Sequence, residues 1–289
     1  MKMVASAKLH KAQMAIAGKL PYEQKLHHIL AGILQDDDLH KALHDKLGFG
    51  NPHGHSPIAL QDISENELPI KERVDRVAIL AISSNSSMCG AFNANILKNF
   101  DATINSLLDS GYSKDDIDIY SVGRKITDHA RKAGLQILED LSDIAGKPDY
   151  ETASDLAHSL VDSFAEGTVS QVILIYSHFA STSSQPIIRE NYLPLALHDY
   201  DYTEEPVDYI LEPDPLELVR HLLPKVLGLK IYTVLLDAAA AEHAARTVAM
   251  QIASDNANDL LSELTLAYNK GRQQAITAEI LDLVGGTMA

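Results

Sequence analysis

The sequence has one cysteine, Cys89, and no tryptophan among its 289 residues. A single cysteine excludes an intrachain disulfide, which suits a reducing compartment. No apolar run approaches the roughly 20 residues of a membrane-spanning helix, and the N-terminus lacks the apolar segment of a signal peptide. These absences predict a cytoplasmic protein without a membrane span.

Positive charge is also scarce. The 24 Lys and Arg residues stand against 40 Asp and Glu residues, so the formal net charge is -16. This balance argues against a general nucleic-acid or anionic-membrane binder. The first 28 residues are the exception, because they hold five lysines against the single acidic residue Glu23.

The usual motifs of catalytic and cofactor sites are missing. The loop SSNSSMCG, residues 83–90, has one glycine and no following lysine, so it fits neither nucleotide-binding glycine motif. Cys89 has no histidine near it in sequence and is predicted to be a small buried residue rather than a nucleophile. His40 and His44 have the spacing of one helix face, but without a third ligand a solvated loop is favoured over a metal site. The sequence predicts no catalytic, cofactor or metal site.

A long uninterrupted helical stretch is what the sequence does contain. Tyr232–Val284 spans 53 residues with no proline and only one glycine, Gly271. As one helix it would be about 80 Å long, more than a domain of this size needs. Residues repeat within it at alternating spacings of three and four, the period of a coiled-coil seam: Met250, Ala253, Ala257, Leu260, Leu264, Ala267 and Gly271.

The remaining pattern predicts four segments. Residues 1–35 form a helix kinked at Pro21, residues 36–73 an acidic insertion, residues 74–214 an α/β domain, and residues 215–289 the C-terminal helix. Alternating strands and helices predict a Rossmann-like domain with a mostly parallel sheet. Its expected strands are Val74–Ile82, Asp116–Val122, Val169–Phe179, Ile187–Leu193 and Tyr209–Glu212.

The two terminal helices are expected to pair as an antiparallel coiled coil. Lysines of the first helix would relieve the repulsion along the stripe of Asp255, Asp259 and Glu263. Pro215 suits the first turn of the last helix, and Pro224 with Gly228 predicts a bend within that region. Met1 already lies in a helical pattern without an N-cap and is predicted to be an internal methionine of a longer native protein.

Residues 242–286 closely resemble the C-terminal helix of the gamma subunit of F-type ATP synthases, and ITAEILDLVGG looks like the C-terminal signature of that family. The loop SSNSSMCGAFN, Ser83–Asn93, resembles the family's serine-started loop, with Asn-Ser-Ser replacing the commoner Asp-Arg-Gly. The segments MKMVASAKLHKAQ, PYEQKL and DYILEPDPLELVRHLLPKV match the family in order. The resemblance covers nearly the whole chain except residues 36–73 and the linker around residues 197–207.

The resemblance implies a central-stalk rotor with no catalytic function of its own. Its partners would be the alpha and beta subunits, the epsilon subunit and the membrane c-ring, at the cytoplasmic face of the bacterial inner membrane. Two other functions stay open from the residues alone: a freestanding α/β enzyme that uses the Cys89 loop, and a coiled-coil adaptor unconnected with ATP.

The resemblance also implies contact residues. Polar groups that would engage beta-subunit loops are Arg246, Arg272, Gln273 and Thr277. An apolar tip within the hexamer would comprise Ile276, Ile280, Leu281, Leu283 and Val284, although ordinary coiled-coil core is an equal reading for Leu281. Tyr209 and Glu212 would lie near the c-ring, and strand packing or a solvated turn is the alternative for them.

Overall fold

The computed structural model of the protein describes residues 1–34, 76–194, 212 and 214–287. The insertion predicted over residues 36–73, with His40 and His44, lies outside the described residues. The predicted strand Tyr209–Glu212 also lies outside them except for Glu212, which is exposed and belongs to no strand.

Within the described residues the chain folds into a central sheet and two long terminal helices. The predicted α/β class with long helices at both ends is confirmed. In chain order, the helices and strands are α1 (Lys2–Leu34), β1 (Val77–Ile82), α2 (Phe92–Asp109), β2 (Ile117–Val122), α3 (Arg124–Lys132), β3 (Gln136–Asp140), α4 (Tyr150–Ala165), β4 (Gln171–Ser177), β5 (Ile187–Leu193) and α5 (Pro215–Thr287).

The strands form one sheet in the order β3-β2-β1-β4-β5. β1 pairs in parallel with β2 and β4, β2 pairs in parallel with β3, and β5 runs antiparallel to β4. The sheet is therefore mostly parallel, as predicted. Strand β3 is absent from the prediction, because its sequence QILED has two apolar residues and most of its side chains are exposed.

Alternating side chains of the central strands divide the core into two layers. On β1, Leu80 and Ile82 lie in a cluster with residues of α1, α4 and α5. Ile79 and Ala81 lie in a second cluster with residues of α2 and α3. Both faces of the sheet are covered, which explains why β1 reads as a continuous apolar run.

The terminal helices α1 and α5 pack in antiparallel directions. Leu9, near the start of α1, clusters with Ala244 of α5. Leu30, near the end of α1, lies in the same cluster as Val219 of α5. The helix α1 continues through Pro21. The alanines of α5 allow close approach of the two backbones, because interaxial distance depends on the side chains at the contact.

The sequence predicts a bend at Pro224 and Gly228 before the long helix begins, but α5 runs through both residues without a break, as one helix of 73 residues. Pro224 loses one intrahelical hydrogen bond, but its neighbours Leu223 and Val226 are buried in the core. A Cβ at Gly228 would lie 3.3 Å from Ser154 Oγ. The glycine therefore allows α4 to pack closely on α5. The helix α5 has a total length of about 110 Å.

Candidate functional site

The C-terminal part of α5 extends beyond the rest of the described protein. Every described side chain from 252 to 281 is exposed, which corresponds to about 45 Å of helix. The large apolar side chains among them have exposed fractions between 46% and 73%. They are Ile252, Leu260, Leu261, Leu264, Leu266, Tyr268, Ile276, Ile280 and Leu281.

These apolar side chains surround the helix rather than forming one stripe. Leu260 and Leu264 share a face because they are four residues apart. At about 100° per residue, Leu261 and Leu266 point about 100° and 240° away from Leu260. A single partner helix would leave part of this surface in water. Exposed apolar surface of this kind marks an interaction site, and here the partner must enclose the helix.

The predicted polar contacts Arg272, Gln273 and Thr277 are all exposed on this segment. Thr277 Oγ1 donates a hydrogen bond to the Gln273 carbonyl at 2.8 Å, so its hydroxyl is partly engaged by its own helix. The predicted tip residues Ile276 and Ile280 are 46% and 55% exposed, and Leu281 and Leu283 are also exposed. The side chain of Val284 lies outside the described set.

The predicted coiled-coil seam is not covered by α1. Met250 is half-buried, and Ala253, Ala257, Ala267 and the two leucines of the seam, Leu260 and Leu264, are exposed. Within the described residues the α1–α5 contact instead uses the earlier residues Leu9, Ala12, Ala240 and Ala244. Packing along the seam therefore stays a prediction.

The acidic stripe of Asp255, Asp259 and Glu263 is exposed as well. The sequence predicts that lysines of α1 lie beside it. Lys8 instead interacts electrostatically with Glu242, more than three turns before Asp255. The antiparallel packing places α1 alongside the earlier part of α5, so Lys8 does not face the stripe.

The Ser83–Asn93 loop connects β1 to α2 and is closed by its own side chains. Ser84 donates to Asn93 Oδ1 through its amide at 3.2 Å and its hydroxyl at 3.0 Å. Asn93 Nδ2 in turn lies 3.1 Å from Cys89 Sγ. Cys89 is 1% exposed, so its predicted burial is confirmed. Its other near side-chain group, the Ser84 hydroxyl at 3.8 Å, is not a base, which weakens the nucleophile hypothesis.

The same loop is docked on α5 through Arg246. The guanidinium donates to Ser86 Oγ at 2.8 Å and to Glu242 Oε1 at 2.5 Å. Side-chain exposure is 16% for Arg246 and 10% for Glu242. Burial raises the pKa of Glu242, and the bond and charge of Arg246 act against that rise. The predicted partner contact Arg246 is thus largely engaged within its own chain.

A partly buried polar cluster where α1, β5 and α5 meet escapes sequence reasoning. Burial raises the pKa of Glu23 on α1, and the charge of Lys230 on α5 opposes this rise. Lys230 Nζ lies 3.2 Å from Glu190 Oε1 on β5. Asp237 of α5 accepts from the Phe179 amide at 2.9 Å. These residues come from three distant parts of the sequence, so no local spacing reveals the cluster.

Two further findings concern metals and membranes. Among the described residues, no group of three or more His, Cys, Asp and Glu side chains is arranged to hold a metal ion. None of the described helices is long and apolar enough to span a membrane.

Comparison with known proteins identifies relatives along the whole sequence. A family model described as ATP synthase matches residues 1–289. The ATP synthase gamma chain of Bacteroides fragilis is 47% identical over 293 residues, covering 100% of this chain and 92% of the relative. That of Phocaeicola vulgatus is 45% identical over 294 residues, with 100% and 92% coverage. That of Christiangramia forsetii is 36% identical over 289 residues, covering 100% and 91%.

Solved structures share the fold at lower sequence identity. A chain of the Euglena gracilis mitochondrial ATP synthase, described as OSCP/F1/c-ring, has a TM-score of 0.56 at 18% identity, covering 98% of this chain and 95% of that one. A chain of the Tetrahymena thermophila mitochondrial enzyme, described as central stalk/c-ring, has a TM-score of 0.54 at 19% identity, covering 88% and 97%. These two structures support the same arrangement of terminal helices and central sheet.

Proposed function

The chain belongs to the gamma-chain family of ATP synthases, and on this premise we propose that it is the central-stalk rotor. In this role it couples proton flow through a membrane c-ring to ATP synthesis or hydrolysis in a hexamer of alternating alpha and beta subunits. The chain supplies no catalytic group to the reaction. Its contribution is mechanical, through the surfaces that it presents as it turns.

The observation that carries this proposal is the exposed segment of α5, residues 252–281. Its apolar side chains point to several sides of one helix, so they need an enclosing partner. A ring of subunits around a central helix provides such an enclosure, whereas a neighbouring helix or a flat surface does not. This feature also favours a rotor over an enzyme that works alone.

Rotation can drive catalysis only if the shaft contacts the subunits of the ring unequally. A ligand or partner with equal affinity for two states shifts no population between them. The protein is asymmetric about α5, because α1 and the sheet domain lie on particular sides of the helix. Each beta subunit would therefore meet a different face of the rotor at any one angle.

The position of the exposed helix within the ring suggests which of its residues contact the surrounding subunits. We call residues 252–281 of α5 the free segment. We assign polar contacts with beta-subunit loops to Arg272, Gln273 and Thr277, which are exposed on this segment. The apolar tip of Ile276, Ile280 and Val284 would turn within the enclosing ring. Tyr209 and Glu212 would contact the c-ring or the epsilon subunit.

The proposal also fixes the organisation of the chain and its location. The shaft helices would be residues 1–35 and 215–289. An insertion would comprise residues 36–73, and the domain that reaches towards the membrane would comprise residues 74–214. The protein would lie at the cytoplasmic face of the bacterial inner membrane, as a peripheral part of the complex.

Co-expression with the alpha and beta subunits of the same organism tests this function. The full chain is expected to co-purify with both subunits as a complex that hydrolyses ATP, whereas the chain alone does not. A variant that ends at Gln251 keeps the buried contacts of the core, so it should fold but fail to assemble. Turnover of ATP by the isolated chain at about 1 per second or more would instead support the enzyme hypothesis.

A further inference from the structure

We propose that Arg246 is a positioning residue that locks the Ser83–Asn93 loop to the shaft through Ser86 and Glu242. The proposal rests on the rotor function above and goes beyond it by assigning a task to the loop. Arg246 holds the loop at one angle around α5, so that loop and helix turn as one rigid surface.

The loop lies against a row of small residues on α5. Cys89, Phe92 and Ile96 cluster with Ala241, and a Cβ on Gly90 would lie 3.8 Å from the Cβ of Ala249. These contacts are apolar and lack directional bonds. Apolar contact with a row of alanines holds the loop close to the helix but permits sliding along it.

Arg246 adds the directional bonds. Its planar guanidinium presents donors in a fixed fork, and it uses one nitrogen for Glu242 on the preceding turn of α5 and another for Ser86 Oγ across the interface. The Ser86 carbonyl also accepts from Ser84 Oγ at 2.6 Å. These bonds, which we call the clamp, run from Glu242 and Arg246 on the helix through Ser86 to Ser84 at the base of the loop.

The buried carboxylate of Glu242 makes the clamp rigid. A buried carboxylate needs its counter-charge, so Glu242 restricts the position of Arg246. A guanidinium held in this way cannot follow Ser86 if the loop moves. Opening the loop would break a charge-assisted hydrogen bond, which is stronger than a neutral one.

The clamped loop presents Met88 outward. Met88 is 63% exposed and has a φ of 69°, a conformation that costs energy in a residue other than glycine. Such a conformation persists only when surrounding bonds impose it. The clamp therefore holds this apolar side chain at a constant angle to the shaft.

Modification of Cys89 reports on the clamp, because Cys89 is the only cysteine of the chain and its side chain is buried within the loop. The probe is a neutral maleimide applied to the purified full chain under native conditions, and the adduct is measured by mass. Ser86→Ala should accelerate labelling about tenfold or more, the factor for one hydrogen bond to a charged group. Arg246→Lys should do the same, since an ammonium group cannot reproduce the forked contact.

Ser113→Ala is the matched control. It removes a hydroxyl that also donates to a carboxylate, Asp116 Oδ2 at 2.6 Å, before the amino end of β2, whereas the loop follows the carboxyl end of the parallel strand β1. Labelling in this variant should stay within about twofold of wild type. Ser86→Ala also loses its hydrogen bond from the global stability, so its urea midpoint should fall slightly while the slope of the transition stays unchanged. Unchanged labelling in both Ser86→Ala and Arg246→Lys would overturn the clamp, and so would equal acceleration in Ser113→Ala.

The experiment also separates the clamp from the rotor function. Labelling is measured on the chain without the alpha and beta subunits, so failure of assembly leaves its outcome unaffected. If Arg246→Lys weakens assembly with the hexamer but leaves Cys89 labelling unchanged, Arg246 is a partner contact and the clamp is wrong.

Discussion

Gly123 shows how a single residue sets the position of the loop. It has a φ of 100°, and a Cβ there would lie 2.2 Å from the Ser83 carbonyl oxygen. The turn that starts α3 therefore passes directly against the start of the Ser83–Asn93 loop. Asn85 joins the same two segments, because the Arg124 amide donates to its Oδ1 at 3.0 Å.

Gly123→Ala should destabilise the protein by about 3 kcal/mol or more, because it combines a backbone clash with an unfavourable φ. Gly134→Ala is the matched control: its φ is 72° but nothing lies within 4 Å of the added Cβ. It should cost only about 1 kcal/mol. The free energies of unfolding in urea provide the measurement, and similar losses in both variants would show that the contact with Ser83 is relaxed.

His243 gives the stability a pH dependence. Burial lowers its pKa to about 4 from 6.5, with the charges of Lys8 and Arg246 acting in the same direction. The folded state thus favours the neutral ring, and the unfolded state binds more protons between these two pH values. Stability is fully present above pH 6.5 and falls as the pH drops towards 4, by up to about 3 kcal/mol.

His243→Gln should flatten this acid-side loss, because glutamine does not titrate. The measurement is the urea midpoint of both proteins between pH 7 and 4. The raised pKa of neighbouring Glu242 has the opposite effect on the pH dependence, because the stability that it contributes is lost as the pH rises. A loss of stability on acidification that is as steep in His243→Gln as in wild type would contradict the role of His243.

At the scale of elements, α5 shows what sequence reasoning can and cannot predict. Its start at Pro215 and its long uninterrupted stretch from Tyr232 follow from local pattern, as do the buried strands β1 and β4. The continuity through Pro224 and Gly228 does not, because it depends on burial of the flanking residues and on the approach of α4. Strand β3 is missed for a related reason: an exposed edge strand carries little apolar signal.

The sequence likewise predicts some features of the candidate site and not others. Arg272, Gln273 and Thr277 are exposed on α5, and their contact with beta-subunit loops stays a prediction. Arg246 could not be placed from sequence. Its engagement depends on Ser86, 160 positions away, and on how the loop docks.

The exposed and packed parts of α5 should respond differently to a charge. Leu260→Asp changes a residue that is 55% exposed, so the stability of the isolated chain should change by less than about 0.5 kcal/mol. Assembly with the alpha and beta subunits should be lost, because a charge would then enter an apolar enclosure. Co-purification and urea unfolding measure the two effects separately.

Two control variants are compared with Leu260→Asp. Asp259→Ala, at the preceding position of the same helix, should leave assembly intact because it keeps the apolar surface. Ala244→Asp places a charge in the α1–α5 contact, where the side chain is fully buried, and should destabilise the chain itself by several kcal/mol. If Leu260→Asp assembles normally, the free segment is not the enclosed surface.

The whole molecule combines a packed asymmetric body with an exposed helical segment. The fold class follows from the sequence because alternating strands and helices leave few arrangements open. The core of the body has two layers: α1, α4 and α5 cover one face of the sheet, and α2 and α3 cover the other. Torque applied to the free part of α5 would reach the sheet domain through this core and through the Lys230–Glu190 contact.

Direct observation of rotation tests the central claim. The chain with Cys89→Ser and Ser110→Cys carries one reactive thiol, at an exposed position after α2, to which a bead is attached in the assembled complex with the hexamer fixed to glass. On addition of ATP, we expect the bead to turn in one direction, with as many pauses per turn as the hexamer has beta subunits. ATP hydrolysis at the full rate while the bead keeps one angle would contradict the rotor function.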